Sequence, residues 1–186
     1  GAGGAGIGRD SNGGSSQTSR IEITGGIITA TGTGGGAGIG AGKRSPIGPV
    51  TITGGTVTST GAEGGGAGIG GALGAPVGDI SIHGGTITAI ATDHAAAIGA
   101  GVQGESGDIL ITGTARIVKA LGGNPGADIG ACLFGGCGKV LISGGADIGN
   151  AKPCTRAGIS LQMGEDTVTL PQFRLSSRTL GLDRLS

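Results

Sequence analysis

Asp79 and Asp108 each follow a glycine, each precede an Ile-x-Ile run, and stand 29 residues apart. In a chain of stacked repeats, equivalent positions on neighbouring turns would bring the two carboxylates about 5 Å from each other. That is the arrangement of a Ca2+ site or of an acid pair. Lys139 occupies the same place one repeat later, where its ammonium would neutralise much of the charge. A solvated charge ladder is therefore the plainer reading. His83 is expected to face outward between Thr53 and Thr112, and His94 lies beside Asp93 in a loop. Neither has another His or Cys at metal-ligand spacing, so both read as surface histidines. Cys132 and Cys137 bracket Leu-Phe-Gly-Gly and could close a small disulfide loop in an oxidising compartment. A pair of thiols without that bond fits the spacing equally well, and the odd third cysteine, Cys154, weakens any argument from cysteine alone. Gly-x-Gly-x-x-Gly matches are inevitable in a chain with 48 glycines, and none opens a helix after a strand.

What must position these residues is a repeat. The box Gly36-Ala37-Gly38-Ile39-Gly40 recurs as Ala5-Gly6-Ile7-Gly8, Ala67-Gly68-Ile69-Gly70, Ala96-Ala97-Ile98-Gly99, Ala127-Asp128-Ile129-Gly130 and Ala157-Gly158-Ile159-Ser160. From Ile7 to Ile159 the boxes are 32, 30, 29, 31 and 30 residues apart, a period that means stacked supersecondary units. A second column reads Ile21-Glu22-Ile23, Val50-Thr51-Ile52, Ile80-Ser81-Ile82, Ile109-Leu110-Ile111, Val140-Leu141-Ile142 and Val168-Thr169-Leu170. Its alternation with period two predicts strands with one buried face. A Gly-Gly pair turns the corner in most coils, as at Gly54-Gly55. The third column runs Ile27-Ile28-Thr29-Ala30-Thr31, Thr56-Val57-Thr58-Ser59-Thr60 and Thr86-Ile87-Thr88-Ala89-Ile90, then Ala115-Arg116-Ile117-Val118 and Ala146-Asp147-Ile148. In the last two the apolar phase slips by one residue, which would turn every side chain to the other face. A local bulge or altered corner is expected there.

Three short strands per turn of about 30 residues predict an all-β chain: a right-handed, single-stranded parallel β-helix of five to six coils. Residues 1–170 form the helix in this reading and 171–186 a cap or return segment. Pro171 stops the last ladder, and Phe173, Leu175, Leu180, Leu182 and Leu185 suit the cover of an open core end. The segments from Arg9 to Ser19, Ala41 to Pro49, Gly71 to Gly78, Ala100 to Gly107 and Ala131 to Gly138 read as variable loops. Each coil buries only a few aliphatic side chains at about 1.5–3 kcal/mol each. That cannot offset an ordering cost of about 1 kcal/mol or more per residue, so stability must come from stacking.

Composition narrows the functional classes. Twelve basic and twelve acidic residues give a formal charge of zero, which offers no electrostatic case for nucleic acid or an anionic membrane. No apolar run approaches the ~20 residues of a bilayer span, and the absence of a signal peptide reads as an excised or mature segment. With two Phe and no Trp or Tyr, the core must be built from Ile, Val, Leu and Ala. On the box, Gly38 and Gly40 and their equivalents are expected to face outward. They would either relieve crowding where the chain bends or form a bare wall for another backbone or polymer. On the third column, outward Thr29/Thr31, Thr58/Thr60 and Thr88 make a Thr-x-Thr array that fails at Arg116 and Asp147. It resembles the arrays of β-helical ice-binding proteins, although threonine is favoured on any exposed strand.

The repeat as a whole resembles glycine-rich β-helix segments of large surface proteins from Gram-positive, gut-type bacteria, over about Ala5 to Ser160. Some of those segments look like carbohydrate-binding modules related to the pectate-lyase-type β-helix. Leu161-Gln162-Met163-Gly164 followed by Thr179-Leu180-Gly181-Leu182 is similar to the stretch of bacterial flagellins where the chain returns from the variable outer domain. These resemblances imply a non-enzymatic extracellular module, structural or adhesive, on a bacterial surface or a flagellin-like filament. Its partners would be a surface polysaccharide or a host glycan or protein, with no cofactor. A carbohydrate-binding β-helix is the alternative, opposed by the lack of Trp and Tyr platforms. A Ca2+-dependent polysaccharide lyase is the second. It would need several carboxylates and a basic residue, which only Asp79, Asp108 and Lys139 approximate.

Overall fold

Every β-strand in the computed structural model of this chain pairs in parallel with the equivalent strand one repeat away, so the chain is a β-solenoid. The structure describes residues 3–15, 18–151, 153–154 and 161–163, the last two stretches by their backbone. The box strands Ile7–Gly8, Ile39–Gly40, Ile69–Gly70, Ile98–Gly99, Ile129–Gly130 and Pro153–Cys154 stack as a first sheet. The second sheet stacks Ile21–Ile23, Val50–Ile52, Ile80–Ile82, Ile109–Ile111, Val140–Ile142 and Leu161–Met163. The third holds Ile27–Thr31, Thr56–Thr60, Thr86–Ile90 and Arg116–Leu121. Four coils thus carry all three strands, and a bridge from Arg116 to Asp147 carries the third ladder one step further.

Alternation decides which side chains enter. Ile39, Ile69, Ile98 and Ile129 are fully buried, as are Val50, Ile52, Ile80, Ile82, Ile109 and Ile111. Val57, Ile87 and Ile117 line the third wall. Beside them Ser59 takes a place in the Ala30–Ser59–Ala89 row, where its Oγ donates to the Gly68 carbonyl oxygen at 2.6 Å. The expected bulge is present: register shifts between Ile117 and Lys119, Val118 is the extra residue, and Ile117 stays buried. At the first coil the inward Ile7 loses cover and is 37% exposed, while Ile27, 90% exposed, stands on the outer face of the third sheet.

From Ala41 onward, the segments read as variable loops form a fourth ladder. Ile47 bridges Val77, Val77 bridges Ser106, and Glu105–Ser106 pairs with Gly136–Cys137. Ile47, Val77, Ser106 and Cys137 are all buried. Their inward phase was hidden by the surrounding Gly, Pro and charged residues, which break any alternation. Within this row Ser106 is 7% exposed and its Oγ has no hydrogen-bond partner. A buried hydroxyl without a partner costs about 1–3 kcal/mol. Ser106→Val, which places here the side chain that the previous coil already accommodates as Val77, is expected to raise stability by about 1–2 kcal/mol. Thermal unfolding of the two chains checks it, and an unchanged or lowered midpoint counts against an unsatisfied hydroxyl.

The sixth coil departs from the sequence reading. Pro153–Cys154, not Ile159-Ser160, pairs with Ile129–Gly130, and Leu161–Met163, not Val168-Thr169-Leu170, pairs with Val140–Ile142. The reason lies in the fifth coil, whose third strand has shrunk to the single bridge at Asp147. Without a five- or six-residue strand and its glycine loop, the chain returns to the first sheet six residues early. Residues 155–160 and 164–186, which include the expected cap, lie outside the described residues.

Candidate functional site

Column register brings Asp79, Asp108 and Lys139 together on the edge of the second sheet, each exposed and each one residue before a fully buried aliphatic. The carboxylates do more than ride on the surface. Asp79 Oδ1 accepts the main-chain N–H of Asp108 at 2.9 Å, and Asp108 Oδ1 accepts that of Lys139 at 2.7 Å. Each aspartate therefore ties its own coil to the next. The glycine before each donating amide makes this possible: a Cβ on Gly107 would lie 2.2 Å from Asp79 Oδ1, and one on Gly138 would lie 2.2 Å from Asp108 Oδ1. The Gly-Asp and Gly-Lys dipeptides are one device, a carboxylate laid across the bare backbone of the coil it bonds.

Two residues further along the same strands, Ser81, Leu110 and Leu141 face outward and are half-buried. With Asp79, Asp108 and Lys139 they line a surface pocket of about 260 Å3. Chemically it offers an apolar floor edged by two carboxylates and one ammonium. The sequence reading missed the floor, although its alternation with Ile80, Ile82 and Ile109 marked those three positions as outward. Among the described residues, no group of three or more His, Cys, Asp or Glu is placed to hold a metal ion. Asp79 and Asp108 remain the candidate Ca2+ ligands, each with one oxygen engaged by an amide.

The two histidines lie apart. His83 Nδ1 meets Thr112 Oγ1 at 2.9 Å across one coil step on the exposed edge of the second sheet. His94 belongs to the connection between the third sheet and the next box. There it contacts Asp93 at 3.4 Å and its Nδ1 meets the Asn124 carbonyl oxygen. Asp93 also accepts from the Gly64 amide at 3.2 Å, so this pair joins three coils. Cys137 is buried in the fourth ladder, whereas Cys132 is half-buried with its Sγ donating to the Gly101 carbonyl oxygen at 2.8 Å.

Of the two readings of the box glycines, the bare wall is not there. Gly38, Gly40, Gly68, Gly70 and Gly99 are buried. A Cβ on Gly38 would lie 2.3 Å from Ser59 Oγ and 2.7 Å from the Thr60 amide nitrogen; on Gly68 it would lie 2.7 Å from the amide nitrogen of Ile90. The box thus packs its first glycine on the end of the third-sheet strand of its own coil. Relief of crowding, the plainer of the two readings, is what these glycines provide. Among the described box glycines, only Gly6 and Gly8 of the end coil are exposed.

Comparison with protein families, curated proteins and solved structures found no match to this chain. Among the described residues no helix is long and apolar enough to cross a membrane.

Proposed function

We propose that the chain is a non-enzymatic, extracellular structural or adhesive module carried on a bacterial surface or a flagellin-like filament. The observation that supports this reading is the continuity of stacking through the connections. Even the turn tips are bonded in series: the Arg44 amide donates to Leu73, that of Gly74 to Val102, and that of Gln103 to Leu133, at 2.9 to 3.3 Å. A chain whose loops are themselves rungs exposes little backbone to local opening, the property a displayed spacer needs against proteases. Limited trypsin digestion of the native chain is the test. The exposed Arg44, Arg116 and Lys139 are expected to survive exposures that cut the urea-unfolded chain fully, and antibodies to the module are expected to label intact bacterial cells. Rapid native cleavage at Arg44, or labelling only after lysis, would falsify the reading.

A carbohydrate-binding reading draws on the pocket around Leu110, Leu141 and the two aspartates. A glycan array that stays blank at high protein concentration removes it. Release of unsaturated product from polygalacturonate is the outcome that would instead favour a lyase.

A further inference from the structure

We propose that the outer face of the third sheet, over the first three coils, is an ice-binding surface whose partner is ordered water. The outward positions are the first, third and fifth residues of Ile27–Thr31, Thr56–Thr60 and Thr86–Ile90, and the three strands stack without register shift. Seven of these nine positions are threonine, the other two being Ile27 and Ile90, and none is charged.

Strand propensity alone does not account for this, because the same coils contain a control. On the second sheet the outward positions inside the three-residue strands are 22, 51 and 81, and those that flank them on the same side are 20, 24, 49, 53, 79 and 83. Together these nine hold three threonines, and three of the nine are charged, namely Arg20, Glu22 and Asp79. Inside the strands, where both parallel sheets reward β-branched residues alike, the second sheet shows Glu22, Thr51 and Ser81, one threonine in three. Threonine is concentrated on one face only, and charge is excluded from that face only.

The geometry supplies what a crystalline water layer needs. Rungs repeat at about 4.8 Å along the solenoid and outward residues at about 6.6 Å along each strand, a near-rectangular grid of the same scale as the oxygen repeats on faces of hexagonal ice. A β-branched side chain on a strand is stiff at χ1, so each threonine presents its methyl and its hydroxyl in a fixed direction. Methyls force the adjacent water into cages, and the hydroxyls anchor those cages at grid points. The uncharged face complements an uncharged solid, since no ammonium or carboxylate holds a competing hydration shell on it. The grid ends at the fourth strand, where Arg116 and Lys119 take up the register of Thr86 and Thr88.

The experiment is ice growth in the presence of the whole chain, read as crystal shape and as the gap between melting and growth temperatures. The wild type is expected to facet the crystals and to open a measurable gap. Thr58→Lys, in the middle of the grid, is expected to lose both. Thr51→Lys, at an equally half-buried outward position of the second sheet, is expected to keep both, and circular dichroism of the two variants confirms that each folds. Unshaped discs with the wild type would overturn the proposal, as would equal loss in both folded variants. Sedimentation with microcrystalline cellulose through Thr58 but without ice shaping would overturn the choice of partner.

Discussion

Gly70→Ala is expected to cost roughly 4–5 kcal/mol or more, enough to unfold the chain if its stability is that of an ordinary domain. Gly70 has φ of +139°, and an added Cβ would stand 2.0 Å from the carbonyl oxygen of Gly99 on the next coil. The backbone conformation alone costs about 1–3 kcal/mol for a residue with a side chain. The clash adds to it, because the atom struck is main chain and cannot swing aside. Moving it would separate the coils, and Ile69 and Ile98 are paired and fully buried across that junction. Gly40 and Gly99 repeat the geometry, with φ of +137° and +138° and Cβ approaches of 2.0 and 2.1 Å. Gly136→Ala is the control, since a Cβ there would meet nothing within 4 Å. Urea unfolding followed by far-ultraviolet circular dichroism separates the two: Gly136→Ala should stay within about 0.5–1 kcal/mol of wild type. Equal midpoints for the two alanines would sink the account of the box glycine.

This contrast also shows what the sequence made legible. The position of Gly70 was plain from the period, but its role was not. Alternation places Gly38 and Gly40 opposite Ile39 and so assigns them to an outer face. It cannot show that the end of the same coil's third-sheet strand lies against that face. The same blindness applies to the fourth ladder. Ile47, Val77, Ser106 and Cys137 share neither residue type nor local pattern, and only the stacking of the coils lines them up. Where one face is buried and the other wet, the reading was good to the residue. The second column's inward Ile52, Ile82 and Ile111 are fully buried, and the slipped phase at Ile117 is a bulge at Val118. The candidate site divides in the same way. Register alone brought Asp79, Asp108 and Lys139 into one row. That each carboxylate bonds the amide of the next coil depends on side-chain direction and on the missing Cβ of Gly107 and Gly138, which a one-dimensional pattern does not carry.

The second large effect tests whether stacking, and not the single coil, holds the stability. Ile23, Ile52, Ile82, Ile111 and Ile142 form one aliphatic row through five coils. Ile82 is its central member, fully buried with a partner on either side. Ile82→Ala is expected to cost about 3–5 kcal/mol, the lost transfer energy plus that of a cavity which rigid neighbouring rungs cannot close. Ile23 sits in the first coil, is 6% exposed and is paired through Ile52 on one side. Ile23→Ala removes the same atoms but weakens one interface, and the end coil can relax into the space, so about 1–2 kcal/mol is expected. In a nearest-neighbour solenoid the two differ in a second way. A gap at the end frays one coil and leaves the transition of the rest intact. A gap at the centre uncouples the coils on either side of it. Urea unfolding should therefore show a lowered midpoint with near-normal slope for Ile23→Ala, and a broadened or split transition with lowered slope for Ile82→Ala. Equal losses and equal slopes would mean that the chain unfolds as one globular unit, with every buried isoleucine worth the same wherever it lies along the axis.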